Sequence, residues 1–529
     1  MFDIPEVAGY VPRRLKPWLF IFFVLIIQFS GGVYLAAASD MVGTTGLMRE
    51  DILMAGYASL CGMAINFAVM FRIKFRFSSR SQLLGCGIVL ISAGAICAAT
   101  ESVPLLVGTC FVAGWFRMQG TFCCNSTIQL WLTPKRDMAI FFCYVYLVVD
   151  GAIQLSGIAS VYSAFSGMWQ QMNMIMCLAL AVMMILTLIL VRPYRFPHYI
   201  PLLGIDWIGA LLWSGFMLSF TYVCVYGDYH DWWKSTDICM GTAVGAVCLG
   251  LNLWRATFLR HPYVSWAALK NCNVVRATVI YIVFFTLLAT EHVMEHGYAE
   301  TILGFDSTNM IDLNLYVLVG IVAGCGFTYY TFALSRWRYK TMVSIGFALA
   351  AVYLGWFYFC LDYGVEKESL FLPLFMRGAA SVIVSIVLLT SIVQSGLPFE
   401  TFPQALTLNG FSGAVLGATF GVALVGEWLQ RTVAANYSLL CSPIDGANAD
   451  VAASVMTGGS GAVSQIAEAV GRQALAVSMK EIYGWLLMAA LASLLILLIS
   501  YAPVRPKAIF PKWRSIRRSI RQGLRLGMR

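Results

Sequence analysis

Charge is scarce in this chain. Only 12% of its 529 residues are Asp, Glu, Lys or Arg, about half the share of an ordinary soluble domain. That excludes a chain assembled from soluble domains, and no polar stretch is long enough to fold as one. Histidine is rare too, with five in the whole chain. No Gly-rich phosphate-binding signature of the P-loop type occurs, so drive by ATP within this chain is not expected. The 15 cysteines show no paired spacing, and most fall inside apolar runs, as do Cys61, Cys86, Cys97, Cys110, Cys123, Cys124 and Cys143. They read as small apolar side chains, with no disulfide, metal or cofactor implied. A cleavable leader is not expected either. The opening has polar and acidic residues, then Arg13, Arg14 and Lys16, then a full-length span, the pattern of a retained signal anchor.

What the chain has is apolar length. Hydrophobic residues make up 60% and the mean hydropathy is +0.77. About fourteen stretches are long enough to cross a bilayer, at roughly 20 apolar residues each. The first half carries Trp18–Ala38, Ile52–Phe71, Leu83–Ala99, Leu105–Leu132, Met138–Ser163 and Met172–Val191. Trp207–Tyr226 and Ile238–Trp254 follow. The last six are Val274–Ala289, Leu313–Leu334, Met342–Leu361, Leu370–Leu397, Ala405–Gly426 and Ile482–Tyr501. The expected fold is an all-α membrane protein of 14 transmembrane helices arranged 6+2+6. Its expected parts are a cytoplasmic N-terminus (1–16), a six-helix bundle (17–192), two inserted helices (193–260) and a second six-helix bundle (261–504). The second bundle includes an extracytoplasmic loop at 428–480, and a basic cytoplasmic tail (505–529) closes the chain.

Positive charge sorts the loops. With a cytoplasmic N-terminus, both termini and the even-to-odd loops hold 26 of the 35 Lys and Arg. Among these are Arg72, Lys74, Arg76, Arg80, Lys135, Arg136, Arg192, Arg195, Arg336, Arg338 and Lys340. The opposite side has six, and three (Arg117, Arg276, Arg377) lie in or at the edge of spans. Both termini are therefore expected in the cytoplasm, and the span number is expected to be even. A weak repeat relates spans one to six to spans nine to fourteen. Each half has a basic loop after its second span, RIKFRFSSR at Arg72–Arg80 and SRWRYK at Ser335–Lys340. Each has an Arg followed by Gly in its fourth span, RMQG at Arg117–Gly120 and MRG at Met376–Gly378. Two similar halves are the sequence trace of a rocking transporter with its site at their interface.

These features resemble the major facilitator superfamily in its 14-helix drug:proton antiporter branch, and the EmrB type of multidrug exporter most closely. RMQG is similar to the family's fourth-helix RxxQG. IDWIG at Ile205–Gly209 enters the inserted pair, and YGDYHDWW at Tyr226–Trp233 joins its two helices. A long loop, about Trp428–Lys480, precedes the last span, which begins with KEIYGWLL at Lys480–Leu487. The chain departs from the pattern in three places. The loop after the second span lacks the family's Gly and Asp. The fifth-span motif is reduced to LSGIAS at Leu155–Ser160, without Pro. The first span reads QFSGGVYLAAASD, without the expected acid and Asn. These departures mark a divergent branch. The resemblance implies proton-coupled export of amphipathic or hydrophobic small molecules, multidrug efflux, across a bacterial inner membrane. It also implies a periplasmic membrane-fusion adaptor and an outer-membrane duct. A facilitator or symporter on the same fold, and a non-transporting sensor or scaffold, stay open as alternatives.

A charge in mid-span costs about 2.5–3.5 kcal/mol on insertion scales and usually faces a cavity or a partner. On a helix, Arg117, Thr121, Cys124, Asn125 and Gln129 share one broad face. The resemblance places Arg117, with Gln119 and Gly120 of its motif, near the proton and substrate pathway. A buried Arg that pins helix packing is the alternative. Asp150 lies in mid-span with Tyr146, Gln154 and Gly157 on its face. Burial raises a carboxylate's pKa and a nearby Arg lowers it, so a pairing of Asp150 with Arg117 would suit a proton carrier. A fixed ion pair without a transport role is the alternative. Arg377 repeats the pattern in the second half. Asn409 and Ser412, with Gln404 just before them, line a cavity or serve as interhelical hydrogen bonds.

EHVMEH at Glu291–His296 matches the inverted zincin string H-x-x-E-H. It lies at a helix end with no peptidase domain around it, so neither an enzyme nor a metal site is expected. A pH-responsive gate built from Glu291, His292, Glu295 and His296 is the functional reading. The tail holds nine Lys or Arg and no acid, with Trp513, Ile516, Ile520 and Leu524 at helical spacing. It suits the anionic surface of the bilayer, not nucleic acid. Within the long loop, Val463–Met479 is expected to form a helix outside the membrane, or else to be a disordered connector.

Overall fold

A computed structural model of the chain describes residues 6–31, 42, 46–100, 102–133, 137–165, 169–194, 204–259, 261–398, 401–442, 444 and 449–500. The expected basic tail, Lys135, Arg136 and the end of the first expected span (Gly32–Ala38) lie outside these residues.

The described elements are helices, apart from one antiparallel bridge between Val7 and Val191. The first half holds α1 (Lys16–Phe29), α2 (Arg49–Asn66), α3 (Ser79–Ala99), α4 (Val103–Leu132), α5 (Met138–Phe165) and α6 (Trp169–Leu190). The inserted pair is α7 (Trp207–Tyr226) and α8 (Thr236–Phe258). The second half begins with α9 (Cys272–Leu288), which runs on through π-turns at Glu291–Glu295 and Tyr298–Ile302. It continues with α10 (Ser307–Thr328), α11 (Tyr339–Cys360) and α12 (Phe371–Val393). α13 (Phe402–Gly410) continues through a π-helical stretch, Phe411–Phe420, into Gly421–Cys441. α14 (Ala449–Ile499) closes the described chain.

Eleven described helical runs are long and apolar enough to cross a membrane, or up to 12 if α2 and its bent continuation Met70–Arg76 count as one span. The protein is thus a multi-pass integral membrane protein, but the expected fourteen spans are not reached by this measure. α1 has 14 residues and is capped at Ser30, short of the roughly 20 that a span needs. α4 is not among the eleven, since Arg117, Gln119, Asn125 and Gln129 interrupt its apolar run.

The weak sequence repeat has a structural counterpart. In each half the second helix crosses the fourth at a glycine contact. A Cβ on Gly114 of α4 would lie 1.9 Å from the Ser59 carbonyl oxygen of α2, and one on Gly62 of α2 would lie 2.1 Å from that of Phe111. In the second half, a Cβ on Gly320 of α10 would lie 2.3 Å from the Phe375 carbonyl oxygen, and one on Gly378 of α12 2.4 Å from that of Val317. Lipid tails give helices no hydrophobic drive to associate, so close backbone approach at small residues is what holds such pairs. The Gly after each membrane arginine reads differently in the two halves. Gly378 makes the crossing itself, whereas Gly120 faces Ile27 of α1.

Two seams join the halves. At one, α2 meets α13, with Gly410 against Phe67. At the other, α5 packs along α10 and α12, with Gly151 facing Leu318. The end of the bundle that carries the Glu6–Lys74, Asp137–Arg336 and Lys340–Leu498 contacts is termed the terminal face, and the opposite end the far face. At the terminal face Arg336 pairs with buried Asp137, tying the two halves at the α5–α10 seam. At the far face the region expected as a loop, 428–480, is mainly helical. α14 has 51 residues, about 76 Å at 1.5 Å per residue, well beyond a hydrocarbon core of about 30 Å. It and the Gly421–Cys441 helix therefore form a hairpin that outruns the membrane, tied by Asn436 Nδ2 donating to Ser478 Oγ at 2.8 Å.

Candidate functional site

Arg377 lies in the first third of α12, next to the Gly378 crossing that seats α12 against α10. Its side chain is buried. Nη1 donates to Glu295 Oε2 at 2.8 Å, and Nη2 lies 3.2 Å from Glu291 Oε1. Both carboxylates come from the π-turn that extends α9. Residues four apart lie on one face of such a turn, so one guanidinium meets both. Tyr353 of α11 donates its hydroxyl to Glu295 Oε1 and shares a 3.0 Å hydrogen bond with Thr290. The side chain of Glu295 is 12% exposed and that of Glu291 is 33% exposed. Glu291 is therefore the wetter of the two. It also acts electrostatically on Tyr57 of α2, in the other half.

Chemically, the cluster holds two carboxylates against one guanidinium. A lone buried charge is expensive and a matched pair less so. The surplus negative charge makes this a place for a proton: one carboxylate can be neutralised while the other still holds Arg377.

The first half is built differently. Arg117 is buried and its guanidinium rests on the backbone of Gly31, where a Cβ would fall 0.9 Å from Nη1. Nη2 donates to Ser59 Oγ at 3.1 Å and to Met63 Sδ at 2.9 Å. The expected pairing of Arg117 with Asp150 is not made among the described residues. The reason is topological: α4 and α5, neighbours in sequence, barely touch, and α5 lies against α10, α12 and α1 instead. Asp150 is half-buried on the seam side of α5 and acts electrostatically on Tyr146, Tyr281 and Cys325. Tyr281 in turn shares a 3.2 Å hydrogen bond with Ser385 of α12.

The rest of the expected polar stripe is used between helices of the first half. Gln119 donates to Gln82 Oε1 at 3.0 Å, and Thr121 accepts from Gln28 at 2.7 Å. Gln129 donates to Met138 Sδ at 3.1 Å. Asn125 is buried with Oδ1 unsatisfied among the described residues, and Gln154 is half-buried. In the second half, Asn409 is buried and Ser412 donates to its carbonyl at 2.8 Å. Gln404 does not line the interior. It clasps the linker, accepting from Ser265 N at 2.9 Å and donating to the Pro262 carbonyl at 3.1 Å.

Three of the four residues of the expected pH gate are placed, and they do not face one another as a group. Glu291 and Glu295 turn inward to Arg377, while His296 faces Glu300 at 3.6 Å. The side chain of His292 lies outside the described residues. Among the described residues no group of three or more His, Cys, Asp or Glu is placed to hold a metal.

Two features escaped the sequence. Tyr353 carries no signal beyond being a tyrosine inside a span. Lys74, seen only as loop charge, is buried, 3.4 Å from Glu6. It also bonds Ser79 at 2.6 Å and Thr127 at 3.0 Å. Glu6 comes from the segment that pairs with the end of α6 through Ala8 N to Leu190 O and Arg192 N to Glu6 O, both 2.8 Å. Lys74 of the basic loop thus finds its acidic partner in the N-terminal segment.

No protein-family model and no curated relative matches this sequence. Solved structures match along nearly the whole chain. An auto-inhibited POT family peptide transporter is 15% identical, with a TM-score of 0.55, over 93% of this chain and 98% of the other. A structure on substrate recognition in proton dependent oligopeptide transporters is 12% identical, with a TM-score of 0.59, over 92% and 97%. The nucleoside transporter NupG is 12% identical, with a TM-score of 0.50, over 89% and 99%. At such identities the likeness shows the fold, which is the all-α major facilitator fold.

Proposed function

We propose that this protein is a secondary active transporter. It couples proton movement to passage of a small molecule between its two halves. The observation that carries this reading is the Arg377–Glu291–Glu295 cluster: a negatively unbalanced group around a buried guanidinium inside a membrane fold. The fold it shares with solved proton dependent oligopeptide and nucleoside transporters supports the same reading.

In the proposed cycle, a proton taken by Glu295 releases one of the two holds on Arg377, and Glu291 keeps the other. Asp150 is a second carboxylate on the path, answering to Tyr146 and Tyr281 at the α5–α10 seam. Arg117, Gln119, Gly120, Thr121, Asn125, Gln129, Gln154 and Asn409 complete the proposed pathway. In this reading Glu291 and Glu295 act in coupling.

The finer proposal is export of amphipathic or hydrophobic molecules, as in the EmrB type, across a bacterial inner membrane with both termini cytoplasmic. The far-face hairpin would then be the extracytoplasmic element available to an adaptor and duct. A second reading is uptake by proton symport, favoured by the peptide transporters among the solved structures. Inverted membrane vesicles preset with an acid interior, and given lipophilic drugs and then short peptides, separate the two. Substrate-dependent loss of the gradient with drugs supports export. Proton movement that accompanies peptide flux supports symport. A folded protein that moves no protons with either, and binds without flux, overturns the transport reading.

A further inference from the structure

The inserted pair touches both halves in mid-membrane and at the far face, and the linker that follows it does so at the terminal face. In mid-membrane, Trp213, Phe216 and Phe220 of α7 surround Phe411 of the α13 run, with ring centroids at 6.4, 5.5 and 6.4 Å. Thr221 of the same helix meets Cys61 of α2 at 3.4 Å. At the far face, Tyr226 donates to Asp51 of α2 at 2.5 Å, while Trp232 Nε1 donates to Glu427 of the α13 run at 2.7 Å. Gln430 adds a hydrogen bond to Asp228. At the terminal face, Tyr263 donates to the Ile65 carbonyl at the end of α2, and Pro262 and Ser265 are clasped by Gln404 of α13.

The far-face turn is also held in an unfavourable shape. Asp231 and Trp232 both have positive φ, 56° and 54°. A non-glycine residue there costs about 1–2 kcal/mol. Such strain persists only where the surroundings enforce it, and the contacts of Trp232 and Asp228 to the α13 run supply that enforcement.

We propose that the inserted pair is a cross-brace that fixes α2 to α13. It makes that seam the closed, hinge side of the molecule, and the halves separate at the α5–α10 seam. There the polar ties include Asp137 with Arg336 at the terminal face and Tyr146 with Tyr281 and Ser385 in mid-span. The brace rests on the reading that the two halves move during transport, and it gives the added helices a mechanical role.

The test is spin-pair distance measurement on the full chain in lipid nanodiscs, with labels on genetically encoded amino acids so that the native cysteines stay. One pair, Met48 with Leu424, spans the braced seam; the other, Tyr162 with Leu315, spans the opposite seam. All four side chains are exposed. Distances are read at acidic and at neutral pH. The braced seam is expected to give one narrow distribution at both. The opposite seam is expected to shift, or to be about twice as broad. A loosened variant, Tyr226→Phe with Trp232→Phe and Gln404→Ala, is expected to broaden the braced seam to match. Tyr226→Phe alone, which keeps the ring and removes one donor, is measured beside it in case the triple variant does not fold. Equal distributions at the two seams, or a braced seam indifferent to both variants, overturns the proposal. Because the readout is distance and not flux, asymmetric seams in a protein without transport would fail the transport reading and leave the brace standing.

Discussion

Arg377 of α12 and Glu295 of the α9 extension meet at 2.8 Å, and Glu291 lies 3.2 Å from the same guanidinium. The three form an odd-numbered charge cluster, and its imbalance has consequences for both folding and coupling.

Arg377→Leu leaves the largely buried Glu295 and the partly exposed Glu291 without a cation. Removing one side of a buried pair costs about 3–5 kcal/mol. The variant is expected to lose most of its thermal stability in detergent. Adding Glu291→Gln and Glu295→Gln removes the stranded charges and is expected to restore folding but not proton coupling. Thermal melting of the single and triple variants measures this. A single variant as stable as the wild type contradicts it.

Gly31→Ala addresses Arg117 without touching it. The new Cβ would sit on the guanidinium, whose long side chain can swing away, so the fold is expected to survive. Transport is expected to fall to the level of Arg117→Ala, about tenfold or more. If Gly31→Ala transports normally while Arg117→Ala does not, the position of the guanidinium on the Gly31 backbone is not what matters.

Gly114→Ala and Gly378→Ala each drive a Cβ into a backbone carbonyl, at 1.9 and 2.4 Å. Backbone cannot rotate away, so each substitution is expected to cost about 1–3 kcal/mol as overpacking. Parallel losses of melting temperature are expected, because the two crossings are equivalent. Gly108→Ala and Gly326→Ala, where a Cβ meets open space, are the controls.

Asp150→Asn breaks no described ion pair. Its melting temperature is expected to stay close to that of the wild type. Its proton-driven flux is expected to drop about tenfold, since an amide cannot take up and release a proton. A variant with full flux removes Asp150 from the path.

The all-helical membrane fold was legible because apolar runs of span length and sorted loop charge follow directly from the bilayer. Arg377 stood out for a similar reason, as a charge where charge is costly. Its partners did not. Glu291 and Glu295 were visible as a helical pair, but EHVMEH suggested a wet gate, because nothing in the string says that α12 lies beside it. The Arg117–Asp150 pairing failed on the same point: adjacency in sequence did not mean adjacency in the bundle. Glu6 was hidden by its place in a short polar leader, and Tyr353 by being an ordinary aromatic residue in a span.

The most direct test is transport by Glu295→Gln in proteoliposomes, using the substrate found in the vesicle screen. Glutamine can still hydrogen-bond Tyr353 and Arg377 but cannot cycle a proton. Exchange of labelled for unlabelled substrate at equal pH is expected to persist, while accumulation driven by a pH gradient is lost. Gradient-driven accumulation at wild-type rate in Glu295→Gln would contradict the assignment of coupling to the Arg377 cluster.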